Sequence, residues 1–198
     1  MENRPLLLRI QQLVEELFNK GNTTNLLYHD LRHTREVVKR AAEIAGAYKL
    51  DASNLFILLA AAWYHDTGHL QGSMEQHEET STRIMYSFLE KEIADHLLKA
   101  IAGCIMATRL TASPVTLTEK ILCDADTYHL GTPEFRQTDP LVWQELEVRT
   151  GKTFPDKDRK SLLFLQAHSF HTSYCRDLLS RGKQDNIEWL QHKISSHS

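Results

Sequence analysis

The sequence predicts an all-α fold. Three observations lead there: apolar residues recur at helical spacing along nearly the whole chain, only 8 Gly and 5 Pro occur in 198 positions, and no repeat or linker divides the chain. So few turn residues argue against a many-stranded sandwich. Hydrophobic residues make up 41% and charged residues 25%, the balance of an ordinary folded domain, and the length suffices to bury one core. A single domain spanning 1–198 is expected.

Leu6, Ile10, Leu13, Val14, Leu17 and Phe18 mark a first amphipathic helix, closed by Gly21. A second runs from about Leu31 to Tyr48, with Val37, Ala41, Ile44 and Tyr48 on one face. The third, Asn54 to Asp66, follows the cap candidates Asp51–Ser53 and is apolar all round, which places it at the centre. A loop over Thr67–Ser73 leads to a fourth helix carrying Ile84, Met85, Phe88 and Leu89. The fifth carries Ile93, Leu97, Ile101, Cys104 and Ile105. Thr116 and Glu119 stand at capping-box spacing and open a sixth helix that runs through Asp126. Asp139-Pro140 reads as the start of a seventh, with the proline in the first turn. After Pro155 a long helix reaches about Arg181, and a last one holds Ile187, Trp189, Leu190 and Ile194, so helices over 139–195 complete the bundle.

The net charge of −3 advertises neither a nucleic-acid polymer nor an anionic membrane as partner. The longest apolar run, Leu55 to Tyr64, is too short to span a bilayer. The N-terminus shows no basic region followed by a cleavage site, so a cytoplasmic location is expected. Cys104, Cys123 and Cys175 are odd in number and far apart, as reduced core residues would be. Eleven histidines stand out.

Several of them interrupt the apolar faces. His33 lies on the inward stripe of the second helix, four before Val37 and eleven before Ile44. His65-Asp66 ends the central helix, where a buried imidazole and carboxylate are costly without a partner. Asp124-Ala125-Asp126 ends the sixth, with Asp126 four after Leu122. Two imidazoles and two carboxylates from three helices make a divalent-metal site with open positions for water and substrate. This set suits Mn²⁺, Fe²⁺, Co²⁺ or Ni²⁺, and also admits Mg²⁺ or Zn²⁺. Two carboxylates against a 2+ ion leave a near-neutral site that accepts a phosphate oxygen and acidifies water. Arg32, beside His33, could meet a phosphate with its fork. His77 shares a helix face with Ser81, Ile84 and Phe88 and could contact phosphate or a second metal. His168, His171 and Tyr174 on the long helix are further candidates to line the site. Gly151-Lys152-Thr153 imitates a phosphate-binding loop, but Leu146 stands where that loop needs glycine.

The segments Tyr28-His29-Asp30-Leu31-Arg32-His33-Thr34, Trp63-Tyr64-His65-Asp66-Thr67-Gly68-His69 and Ile121-Leu122-Cys123-Asp124-Ala125-Asp126 together resemble the motifs of the HD-domain metal-dependent phosphohydrolase superfamily. The likeness spans residues 28–131. It implies the compact helical bundle of that superfamily, with His33, His65, Asp66 and Asp126 as metal ligands. Tyr28-His29 with His33, and His65-Asp66 with His69, are also similar to the opening motifs of the class I cyclic nucleotide phosphodiesterases. That similarity implies that His29 protonates the leaving oxygen and His69 supports the metal-bound waters. An imidazole, with an ordinary pKa of about 6.5, suits such acid work. The chain is much shorter than those catalytic domains and shows no match to their nucleotide-selecting glutamine region. In the alarmone-hydrolase branch a Glu-Asp pair follows the His-Asp pair, whereas here Thr67-Gly68-His69-Leu70 follows. The expected activity is hydrolysis of a phosphoester or phosphoanhydride of a nucleotide or similar small phosphorylated metabolite. The alternatives are a cyclic nucleotide phosphodiesterase and a non-catalytic metal- or nucleotide-binding module.

Overall fold

The computed structural model describes residues 4–71 and 74–196, and among these it contains helices and connections but no strand. Its contacts cluster into two units, one of Met1–Thr24 and His29–Asp126, the other of Asn25–Tyr28 and Thr127–Ser198.

The first unit holds α1 (Arg4–Lys20), α2 (Leu31–Tyr48), α3 (Ala52–Tyr64), α4 (His77–Leu89), α5 (Asp95–Ala107) and α6 (Leu117–Asp126). The central helix is α3, packed against α1, α2, α4, α5 and α6. Phe56, Leu58, Ala60, Ala61, Ala62 and Tyr64 are almost completely buried on it. Each large apolar side chain so buried contributes about 1.5–3 kcal/mol to the core. Asp51 caps α3 by accepting the Asn54 N–H at 2.8 Å, so the helix starts at Ala52, two residues before the expected Asn54. It also stops at Tyr64 rather than Asp66, because Asp66 swings to φ −105°, ψ 2° and a 3-10 turn over Thr67–Leu70 follows. Gly72 and Ser73, the end of the expected loop, lie outside the described residues. On α5 it is Leu98 that is buried, Leu97 is half-buried, and Ile93 precedes the helix. At the start of α6 the capping box is made in both directions: Thr116 Oγ1 accepts the Glu119 N–H, and the Glu119 carboxylate accepts the Thr116 N–H, each at 3.2 Å.

The second unit holds a 3-10 turn over Tyr128–Gly131, then α7 (Phe135–Thr150), α8 (Lys157–Ala167) and α9 (Ser173–Ser195). Two expectations are corrected here. The seventh helix begins at Phe135, with Pro140 inside it rather than in its first turn. Pro133 lies before the start, where the carbonyls of Thr132, Pro133 and Glu134 take the first turn's N–H groups. The long helix after Pro155 breaks at His168, and α9 then runs unbroken past Gly182. Thr172 restarts the chain by accepting the Cys175 N–H. Gly182 is a close-approach residue rather than a stop. A Cβ there would lie 2.0 Å from the Gly131 carbonyl oxygen, so only glycine lets α9 lie against that turn.

Candidate metal centre

Each histidine of the centre is placed by a local device. Asp30 caps α2 by accepting the His33 N–H at 2.9 Å, which sets His33 in the first turn with its ring facing inward. His65 closes α3, its N–H bonded to the Ala61 carbonyl at 2.9 Å. Its ring Nδ1 donates to the Ala62 carbonyl at 2.8 Å, which leaves Nε2 to face the cluster. Ser81 on α4 stitches the following turn in place, donating to the His65 carbonyl at 2.6 Å and accepting the Gly68 N–H at 2.8 Å. The turn brings His69 back beside Asp66, whose carbonyl accepts the His69 N–H at 3.0 Å. His77, at the start of α4, donates Nδ1–H to the Met74 carbonyl at 2.8 Å.

Asp66 stands in the middle with its two oxygens facing different histidines. Oδ2 lies 3.2 Å from His65 Nε2 and 3.4 Å from His33 Nε2. Oδ1 lies 3.7 Å from His77 Nε2 and 3.8 Å from His69 Nε2. Asp126 completes the first half: its Oδ1 is 3.0 Å from His33 Nε2 and 3.7 Å from His65 Nε2. On the other side the rings of His29 and His69 are 4.5 Å apart, and His69 stacks on His77 at 4.0 Å. Two groups therefore have ligand atoms within 4.8 Å of one another, His33, His65 and Asp66 in one and His29, Asp66 and His69 in the other.

The HD domain family matches residues 30–131, more than half of the chain, and that stretch contains all of these residues but His29. The chain belongs to the HD-domain family. HD domains form a family of metal-dependent hydrolases that bind divalent ions. Among solved structures, the crystal structure of a predicted HD superfamily hydrolase from an uncultured Thermotogales bacterium is similar to this chain at 21% identity and a TM-score of 0.61. That similarity covers 96% of this chain and 92% of the other, and at such identity it speaks for the all-α fold. No curated protein matches the chain.

The chemistry of this HD domain's donor set fits a divalent ion. His65 is fully buried and Asp66 is 3% exposed, yet His65 Nε2 and Asp66 Oδ2 make no hydrogen bond. Buried polar atoms in that state are costly unless a cation joins them. Burial works against charge on His33, His65, Asp66 and Asp126, but the opposed pairs prevail. Burial opposes a proton on His33, yet Asp126 and Asp66 raise its pKa to about 9, and Asp66 and Asp126 also hold His65 well above the usual imidazole range. Burial would raise the two aspartates, but His65 and His33 keep Asp66 well below the usual carboxylate range and lower Asp126 likewise. Two ionised carboxylates facing imidazole nitrogens call for positive charge, which a 2+ ion supplies.

The remaining expected residues fall elsewhere. Arg32 does not join the cluster: one residue before His33 it points about 100° away around the helix, 72% exposed, with Asp30 at 3.9 Å. Asp124 is fully buried, and two residues' rotation on α6 leaves Asp126 as the carboxylate that faces His33 and His65. Cys104, Cys123 and Cys175 are all buried. His168, His171 and Tyr174 belong to the second unit; His168 closes α8, exposed His171 lies in the connection, and Tyr174 is on α9. Three contributors went unread in the sequence. The Met74 carbonyl and the Ser81 hydroxyl carry no motif, and Glu78 looks like an ordinary first-turn acid although it is 4% exposed.

His168 has its own consequence. Its Nε2 meets Thr127 Oγ1 at 3.1 Å, and burial, aided by the nearby charges of Lys183 and His171, pushes its pKa down to about 4. The unfolded chain, at the ordinary 6.5, then binds the proton in preference. Stability from neutral His168 is fully present above about pH 6.5 and is lost as pH falls toward 4, up to about 3 kcal/mol. Urea unfolding of wild type and His168→Asn at pH 7 and pH 5 should show a smaller acid loss in the variant. Equal losses would refute this.

Proposed function

We propose that this HD domain is a divalent-metal-dependent phosphohydrolase acting on a small phosphorylated metabolite, a nucleotide or similar compound. The observation that carries the reading is the central carboxylate: each Asp66 oxygen faces its own pair of histidines. His33, His65, Asp66 and Asp126 would hold one ion, and Asp66, His69 and His77 a second. Mn²⁺, Fe²⁺, Co²⁺ and Ni²⁺ suit such nitrogen and oxygen sets best. When bound, the ions polarise a phosphoryl oxygen and acidify water for in-line attack.

The chain's own residues do the rest. His65 is locked by the Ala62 carbonyl in the tautomer that presents Nε2. His29 is half-buried at the edge of the cluster, where it can hold a proton for the leaving oxygen. His29 also favours a second reading, opening of a cyclic nucleotide, because its ring lies 4.5 Å from that of His69, the other histidine on which that similarity rests. Among the described residues no helix is long and apolar enough to cross a membrane.

Metal analysis of protein purified without chelator or histidine tag, paired with His65→Ala, tests the reading. Bound divalent ions should be lost in the variant together with phosphate release from a panel of linear nucleotides under Mn²⁺, Co²⁺ and Ni²⁺. Products from cyclic nucleotides alone would shift the assignment to the phosphodiesterase reading. Nucleotide binding without product under every metal would instead leave a binding module. No metal uptake at sub-millimolar concentrations would overturn the enzyme reading.

A further inference from the structure

Glu78, in the first turn of α4, is a carboxylate buried where burial needs a reason. It is 4% exposed and its Oε2 makes no hydrogen bond. That oxygen lies 3.4 Å from His77 Nδ1 and 3.6 Å from Arg109 Nη2. His77 Nδ1 gives its proton to the Met74 carbonyl at 2.8 Å, so the carbonyl sets the tautomer and Glu78 adds negative charge behind the same nitrogen. Across the ring, Nε2 faces Asp66 Oδ1 at 3.7 Å. Arg109, one third exposed and also ion-paired with Glu79, closes the line at the surface. From Asp66 outward the groups therefore run carboxylate, imidazole, carboxylate, guanidinium.

We infer that Glu78 is a positioning residue for the second ion, acting through the His77 ring, and that Arg109 tempers its charge. A cation drawn to Nε2 pulls electron density across the imidazole toward it, and the ring then carries positive charge at Nδ1–H. A fixed carboxylate at that edge stabilises this polarisation in a site shielded from water. The inference rests on the proposed two-ion reading.

Calorimetric titration of metal-stripped protein with Mn²⁺ alone separates the two. Wild type should take up two ions. Glu78→Gln keeps the shape and removes the charge, and should weaken the second ion about 10- to 100-fold while leaving the first unchanged. The retained first ion reports that the variant is folded. Arg109→Gln, at a partly exposed position, should tighten the second ion several-fold, a sign opposite to that of structural damage. In a His77→Asn background Glu78→Gln should have no further effect. A wild type that binds a single ion overturns the two-ion reading and this inference with it. Two ions in wild type with unchanged affinity in Glu78→Gln, or Arg109→Gln weakening the second ion, overturns the role of Glu78 alone.

Discussion

Replacing Asp66 with Ala should abolish binding of both proposed ions and lower the proposed phosphohydrolase turnover by about a thousandfold or more, the scale of losing metal-assisted charge stabilisation. Among the described residues Asp66 is the one that belongs to both ligand-competent groups. Its loss takes Oδ2 away from His33 and His65 and Oδ1 away from His69 and His77. Breaking a buried charge set by removing one partner also costs about 3–5 kcal/mol in the metal-free chain. Asp66→Asn, which keeps the volume, should lose the metal with a smaller stability change. Metal content by mass spectrometry and thermal unfolding with and without Mn²⁺ provide the check. Wild type should gain about 2.7 kcal/mol at a hundredfold excess over the dissociation constant, and the variants nothing. Full metal content and full turnover in Asp66→Ala would sink the assignment.

Gly68→Ala should damage the centre from a position that offers no ligand. A Cβ at residue 68 would lie 2.0 Å from the His77 carbonyl oxygen, 2.8 Å from its carbon and 2.9 Å from the Ser81 nitrogen. All three are backbone atoms of α4, so no side chain can rotate away. The helix start must move, and the movement strains both bonds of Ser81, to the Gly68 N–H and the His65 carbonyl. Overpacking together with a broken buried hydrogen bond costs about 3–5 kcal/mol. Because His77 opens α4 and His69 lies in the turn, their stacked rings separate and the second half of the centre loses its ligands. Ser81→Ala, which breaks the bonds without the clash, should cost about 1–3 kcal/mol. An unaltered urea midpoint in Gly68→Ala would show that the turn and α4 are not held this closely.

The site and the fold were legible to different depths. Periodicity located α1 and α2 because each presents one apolar stripe, and the Thr116–Glu119 spacing marked α6 because a capping box is a purely local bond. Pro140 misled because proline suits a first turn in isolation, while the actual start depends on carbonyls released at Thr132–Glu134. Apolar spacing predicts one helix ending near Arg181 and another beginning after it, whereas α9 is continuous there because Gly182 lets the Gly131 backbone lie against it.

By itself the sequence determined the all-α class, the order of the main helices and the pairing of imidazoles with carboxylates, because these follow from residue types at short spacing. Tertiary structure alone decided that Asp66 divides its oxygens between two pairs of histidines and that Arg32 turns to solvent. It also decided that Glu78 is buried behind His77. Those outcomes depend on helix rotation and on contacts between residues far apart in the chain, and spacing along a sequence carries neither.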